Sequence, residues 1–322
     1  MTEKPVVLIS RCIEHDNCRY DGSRISSPFI DKLKNHVEFI DICPEVEIGL
    51  SIPREAIRII RKGGGERLVY SMSGTDITDS MKDFSKDFIE GIKEKGIHGI
   101  VMKSRSPSCG IKDVKIYSDL GKANTIPEKT DGFFGRAVKE NFPCIPTEDE
   151  GRLTNYNIRE HFLTRLYANL YFDEVIESNK MSVLVDFHSR NKYLLMAYHQ
   201  MNQKKLGRIV ANHDNLDVDE VIWEYGVMLN EALKKPFRRG TNINMLMHLL
   251  GYFKKDLSKE EKAYFLDILQ QYSMKKIPFS LPIAVIRSWV VRFDEPYLKR
   301  QTIFNPYPLD ILDVADSGKG ID

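Results

Sequence analysis

Over the first 150 residues, short apolar runs alternate with segments whose apolar positions recur every three or four residues. Val6 to Ser10, Val37 to Ile42, Arg67 to Met72 and Gly99 to Lys103 read as strands, and Ser26 to Asn35, Pro53 to Lys62 and Thr78 to Lys95 read as helices between them. Alternation of this kind predicts a parallel sheet covered on both faces, an α/β domain of Rossmann-like type. A helix near Asp131 to Asn141 and a short strand near Cys144 to Thr147 would close it. Asp76 to Asp79 offers caps for the longest of these helices, and Gly96 supplies its stop.

After Glu148-Asp-Glu-Gly151 the pattern turns to helical periodicity with few strand signals. Arg159 to Ile176, Met181 to Gln203, Val218 to Lys234, Ile243 to Phe253, Ser258 to Tyr272 and Ile283 to Phe293 each repeat apolar residues at three and four spacing, punctuated by Pro236, Gly240, Pro278 and Pro282. The expected organisation is an α/β domain over residues 1–150 and an all-α domain over 151–322. A chain of 322 residues is long for one core, which agrees with two domains.

The composition is that of an ordinary soluble protein, with five cysteines and no basic-then-apolar opening segment. A secreted disulfide framework is therefore not expected, and the thiols should be reduced in the cytoplasm. The C-terminal apolar stretch Leu281 to Val291 is broken by Arg287 and too short for a membrane span. Residues 1–150 carry 23 basic against 25 acidic side chains, and residues 151–322 carry 24 against 21. In the second half the basic residues recur as adjacent pairs, from Lys204 and Lys205 to Lys299 and Arg300. Pairs sharing a face would make a phosphate-binding footprint; the alternative is a set of solvated helix faces.

Cys12 and Cys18 follow the first strand, and Cys109 lies in a Ser-Pro-Ser-Cys-Gly turn after another. The carboxyl edge of an open α/β sheet is where ligands bind. Thiolates suit iron-sulfur clusters or zinc, and the five residues between Cys12 and Cys18 can wrap one metal centre. That spacing is neither a zinc knuckle nor a ferredoxin run, so it is Cys109 that raises the cluster reading. Cys43 follows the strand ending at Ile42 and is a further candidate. Four thiolates would close a cluster, whereas three would leave one iron open.

Glu45, two residues after Cys43, puts a carboxylate at the same edge as a candidate general acid or base. The alternative is an ordinary surface glutamate paired with Arg54 or capping a helix. Ser104, Ser106 and Ser108 are either donors to a substrate or turn residues around Pro107. Arg19 and Lys103 could balance the charge of a thiolate-bound cluster. Gly63 to Gly65 lacks the lysine and hydroxyl of a phosphate-binding loop and reads as a turn. His188, His199, His213 and His248 show no ligand spacing and read as structural or solvent-facing. The segment holding Lys192, Lys204, Lys205 and Arg208 mixes cations, amides and aromatics in a way that suits RNA and an ordinary exposed helix alike.

The set Cys12, Cys18-Arg-Tyr-Asp-Gly22, Cys43-Pro-Glu45 and Lys103 through Ser106-Pro-Ser-Cys-Gly110 resembles the thiouracil desulfidase family, TudS. The resemblance implies a 4Fe-4S cluster held by Cys12, Cys18 and Cys109, with an open iron that takes sulfur from a thiolated pyrimidine. It implies Glu45 and Ser106 in proton transfer, and Arg19, Lys103 and Ser108 toward the substrate. From Pro146 through Arg159-Glu-His-Phe162 and Phe187-His-Ser-Arg-Asn-Lys192 to Asn305-Pro-Tyr-Pro308, the second half is similar to the helical domain of the RudS group, tRNA 4-thiouridine desulfidases. That implies tRNA as partner, sulfide as product, and RNA contacts from Lys192, Lys204, Lys205 and Arg208. Two other expectations stand beside it: turnover of free thiopyrimidines, or a sensor whose cluster is closed by Cys43. One departure is Glu14-His15, where the family more usually has a Leu-Gly pair.

Overall fold

The computed structural model describes residues 4–312. The chain divides into two compact units, residues 4–167 with 309–312, and Ala168–Pro308.

The first unit runs β1 (Val6–Ser10), α1 (Pro28–Leu33), β2 (Glu38–Ile42), α2 (Pro44–Glu47), β3 (Ile57–Lys62), β4 (Gly65–Tyr70), α3 (Thr78–Ile92), β5 (Ile97–Met102), β6 (Val114–Tyr117), β7 (Thr125–Thr130), α4 (Phe133–Asn141) and β8 (Thr147–Asp149). α5 (Tyr156–Ser178) begins in it. One sheet has the order β2-β1-β5-β8 and is wholly parallel. Its central strands are mostly apolar because both faces are covered: Leu8, Ile9, Ile100 and Val101 have no solvent exposure. Each such side chain contributes about 1.5–3 kcal/mol of burial.

The second sheet, β4-β3-β6-β7, corrects the single-sheet expectation. β3 and β4 pair antiparallel through a turn at Gly63 and Gly64, β3 and β6 pair parallel, and β6 and β7 pair antiparallel. The expected helix Pro53 to Lys62 is the strand β3, since the run Ile57-Arg-Ile-Ile60 is rich in β-branched residues and finds partners on both sides. Both sheets share one core with α3 and α4.

The first compact unit runs past residue 150 to residue 167. The first half of α5 packs on β5, where Leu166 and Phe162 crowd the Cα of Gly99. The chain also returns to this unit at its end: Ile311 is fully buried and His36 lies 3.4 Å from Asp310.

The second unit is all helix, with α6 (Met181–Tyr198), α7 (Gln200–Ala211), α8 (Val218–Leu233), α9 (Arg239–Tyr252), α10 (Lys259–Ser273), α11 (Ser280–Arg292) and α12 (Pro296–Lys299). The single helix expected over Met181 to Gln203 is broken at His199, whose extended backbone starts α7 and whose ring accepts from the Asn202 amide. His188 is a structural residue, 3.0 Å from the Tyr225 hydroxyl. Among the described residues no helix is long and apolar enough to cross a membrane.

Candidate functional site

The parallel order β2-β1-β5 sets the carboxyl ends of three neighbouring strands side by side. Cys43 follows β2, Cys12 and Cys18 follow β1, and Cys109 follows β5. All four are free and buried, whereas Cys144 is exposed. Contact with Cys12, opposed by contact with Cys43, leaves the Cys18 thiol pushed up to about 12. The Cys43 thiol is raised first by Cys18 and then by burial, and Cys109 is raised first by burial. Such thiols stay protonated on their own, and each must lose its proton to ligate a metal. Among the described residues no three His, Cys, Asp or Glu side chains meet as ligands of a single ion. The all-thiol donor set, spread over three loops, fits a cluster in which each iron takes one sulfur ligand.

The Cys12 loop is pinned by its backbone, with the Ile25 amide donating to the Cys12 carbonyl at 2.8 Å. Glu14, where the family pattern departs, sits at φ 62 with a buried carboxylate that accepts from the Ser27 amide at the start of α1. The departure therefore fastens the loop to α1. The Cys109 turn rests on the first turn of α4. The amides of Gly132, Phe133 and Gly135 donate to the carbonyls of Gly110, Pro107 and Ser108 at 2.7, 3.0 and 3.0 Å. A Cβ on Gly135 would lie 2.5 Å from the Gly110 oxygen and 2.6 Å from that of Cys109, so this approach requires glycine. Nothing in the sequence alone marks Gly132 and Gly135, whose part depends on a contact between segments 25 residues apart.

Glu45, on the single turn α2, reaches the same turn. Its Oε1 accepts from the Ser108 hydroxyl at 2.5 Å, and the Ser108 and Ser106 hydroxyls are 3.0 Å apart. Ser108 is fully buried and Ser106 half-buried, so the row runs from the accessible Ser106 inward to the carboxylate. Oε2 takes two N–H groups of Arg54, the Nε at 3.0 Å. Arg54 also donates to the Cys18 carbonyl at 3.0 Å, and only 3 % of its side chain is exposed. The Glu45 and Arg54 pairing that stood as the surface alternative is thus a buried pair tied to the Cys18 loop. Arg54 was legible as a partner, not as a residue of the site.

Arg19 and Lys103 find other partners. Arg19 folds onto its own turn, with Ser23 at 2.7 Å and Asp21 at 3.6 Å. The Lys103 ammonium is held by Glu150 at 2.7 Å and by the Ser104 hydroxyl and carbonyl, both at 2.9 Å. Neither cation is spent on the thiols, because each has a carboxylate nearer to hand. In the second unit Lys204, Lys205 and Arg208 are exposed on α7, and Lys192 on α6 lies over the Tyr193 ring.

A family model described as 2-thiouracil desulfurase matches residues 7–150, and one described as a protein of unknown function, DUF1722, matches residues 192–308. The uncharacterized protein YbbK of Bacillus subtilis strain 168 is 33% identical over 110 residues, which is 33% of this chain and 73% of that one. The uncharacterized protein YbgA of Escherichia coli strain K12 is 25% identical over 164 residues, 51% of this chain and 87% of that one. A solved structure described as the [4Fe-4S]-dependent thiouracil desulfidase TudS is 26% identical, covering 47% of this chain and 93% of that one with a TM-score of 0.38. The stretch matched by the first model takes in every residue of the thiol edge, and through it the chain belongs to the 2-thiouracil desulfurase family.

Proposed function

We propose that this protein is a 4Fe-4S-dependent desulfidase that hydrolyses the C–S bond of 4-thiouridine in tRNA, giving uridine and sulfide, in the cytoplasm where its thiols stay reduced. The observation that carries the chemistry is the meeting of four buried free thiols with a carboxylate and two serines at one sheet edge. Cys12, Cys18 and Cys109 would hold the cluster. When bound, it supplies an iron that takes the thiocarbonyl sulfur as a Lewis acid without change of redox state.

The protein's own residues do the rest. Glu45, fixed by Arg54 on one oxygen, presents its other oxygen to the Ser108 hydroxyl. Ser106, the accessible end of the row, meets the attacking water or the pyrimidine edge. A proton leaves the water as its oxygen bonds to the ring carbon, and passes along Ser106 and Ser108 to Glu45. The carbon–sulfur bond breaks as the added oxygen gives up its second proton to become the carbonyl, and that proton and the one held on Glu45 both go to the departing sulfur, so that water and thiocarbonyl become carbonyl and hydrogen sulfide. Arg19 and Lys103 hold the loops on which they sit, through Ser23 and Asp21 and through Glu150 and Ser104, and would turn to the nucleotide when it binds.

RNA as the substrate is supported by the cations of the second unit, the exposed Lys204, Lys205 and Arg208 and the half-buried Lys192 among them. The test is anaerobic incubation of the reconstituted protein with tRNA containing 4-thiouridine, following loss of the thiobase absorbance and release of sulfide. Turnover that needs the cluster and Cys109 is expected. Turnover of free thiouracil alone would discard the tRNA reading, and turnover of neither would leave a cluster sensor. Cys43→Ser separates that last case, because a three-thiolate site keeps its iron and a four-thiolate site loses it.

A further inference from the structure

The acidic residues of the second unit leave long gaps. Residues 232–255 carry six Lys and Arg and no Asp or Glu, and residues 268–293 carry four and none. The fold brings the densest parts of both together. Phe237 lies between the pairs Lys234-Lys235 and Arg238-Arg239, and its ring is 5.3 Å from that of Phe279, just beyond the pair Lys275-Lys276. Phe279 in turn packs on Tyr272 at 6.0 Å, and Tyr198 at the end of α6 closes on Phe237 at 5.5 Å. Arg239 reaches across to the Tyr272 carbonyl at 2.9 Å. The end of α8, the start of α9 and the end of α10 therefore meet at one end of the helical unit, with three basic pairs around a shared aromatic base.

Helix electrostatics explain only part of this. Lysines after the carboxyl ends of α8 and α10 complement the helix dipoles. Arg238 and Arg239 sit at the amino end of α9, as its cap and first residue, where the dipole is already positive and a cation is disfavoured. Cations and a helix amino end pointing the same way are what an anion requires. Lys234 pairs with Glu231 at 3.4 Å, while Lys235, Arg238, Lys275 and Lys276 are exposed and form no ion pair among the described residues. The opposite end of α8 carries Asp217, Asp219 and Glu220, about 24 Å away along a helix of this length. The charge is thus separated by end rather than spread around the bundle.

We propose that this basic end, formed by Lys235, Arg238, Lys275 and Lys276 and continued by Lys204 and Lys205 along α7, is the surface that grips the phosphate backbone of RNA. It rests on the tRNA reading above and moves the centre of contact from α7 to the α8, α9 and α10 ends. Evenly spaced phosphates of an RNA strand match several fixed cations on a rim, and no pocket for a base is needed at this point.

The test uses the full chain and an unmodified tRNA transcript. Lys235→Gln, Arg238→Gln, Lys275→Gln and Lys276→Gln are combined in one variant. Lys254→Gln, Lys255→Gln, Lys259→Gln and Lys262→Gln, at the other end of α9 and α10 where Asp256, Glu260 and Glu261 intervene, form the charge-matched control. In filter binding across a salt series the first variant should lose at least about tenfold in affinity, with the log-log salt slope reduced by about two to three. The control should stay within about twofold. Both should turn over free thiouracil at the parental rate, with unchanged helical circular dichroism. Equal losses in the two variants, or none in the first, would overturn the surface while leaving tRNA as the substrate. Failure of the parent protein to bind tRNA while thiouracil turnover persists would overturn both. Binding to phosphatidylglycerol vesicles but not to tRNA, lost in the same variant, would assign the surface to lipid and refute the RNA proposal.

Discussion

Arg54→Met should strike the site and the fold of the first unit together. The guanidinium is 3 % exposed and the Glu45 carboxylate 13 %. Removing one partner of a buried pair costs about 3–5 kcal/mol, because the other is left charged and unpaired. Glu45 keeps the Ser108 hydroxyl and some exposure, which puts the expected cost near 3 kcal/mol. Glu45→Ala should cost a similar amount, since it strands a buried cation. The double variant removes both charges, so it should cost about 3 kcal/mol rather than the sum, a coupling energy of about 3 kcal/mol. Both tryptophans, Trp223 and Trp289, lie in the second unit and would miss the effect. Hydrogen exchange of the β1 and β5 amides reads the first unit directly. Additive losses, with coupling below about 0.5 kcal/mol, would refute the buried pair. Arg54→Lys keeps the charge without the fork and should recover part of the stability but not the double contact to Glu45.

Four further changes test other parts. Gly135→Ala should cost about 2–4 kcal/mol by forcing backbone apart beneath Cys109, and should lower iron and sulfide content after reconstitution. Gly91→Ala, with nothing within 4 Å, should instead stabilise slightly, by about 0.5 kcal/mol in thermal unfolding. Burial pushes the half-buried Glu160 carboxyl up to about 7, so its stabilising protonation is full below about pH 4.5 and is lost as pH rises through 7. Glu160→Gln should be neutral at pH 4.5 and gain about 2 kcal/mol at pH 8 in denaturant unfolding, the full shift being discounted for partial exposure. Burial pushes His188 down to about 4, so the second unit should lose stability as pH falls from 6.5 through 4. His188→Gln should flatten that loss, read by tryptophan fluorescence.

The gathering of Cys12, Cys18, Cys43 and Cys109 was legible because each lies on a loop that follows a strand of the parallel sheet, and parallel neighbours end at one edge. What stayed hidden depended on pairing between distant segments. β7 contains Pro127, which argues against a strand in sequence, yet β7 is the edge of its sheet, where the missing N–H costs nothing. β3 reads as helix in the sequence because Ile57, Ile59 and Ile60 satisfy a helical spacing as well as an extended one over so short a run. The break at His199 carries no Gly or Pro to announce it. Lys103 and Arg19 looked like free cations because nothing in the sequence ties Glu150 to Lys103, 47 residues away.

The return of residues 309–312 to α1 has a consequence for how the chain can be cut. The helical unit leaves the first unit at residue 167 and comes back at 309, so it is spliced into the first unit's chain rather than appended to it. A cut near residue 167 leaves the helical unit joined through the chain only to the segment that begins at residue 309, and a cut near residue 308 leaves it joined only to residues 4–167. After a cut near residue 167 only the packing of residues 309–312 in the first unit, where Ile311 is fully buried, tethers the helical unit to it, so a native digest should hold together as one species that a denaturing gel resolves into two fragments.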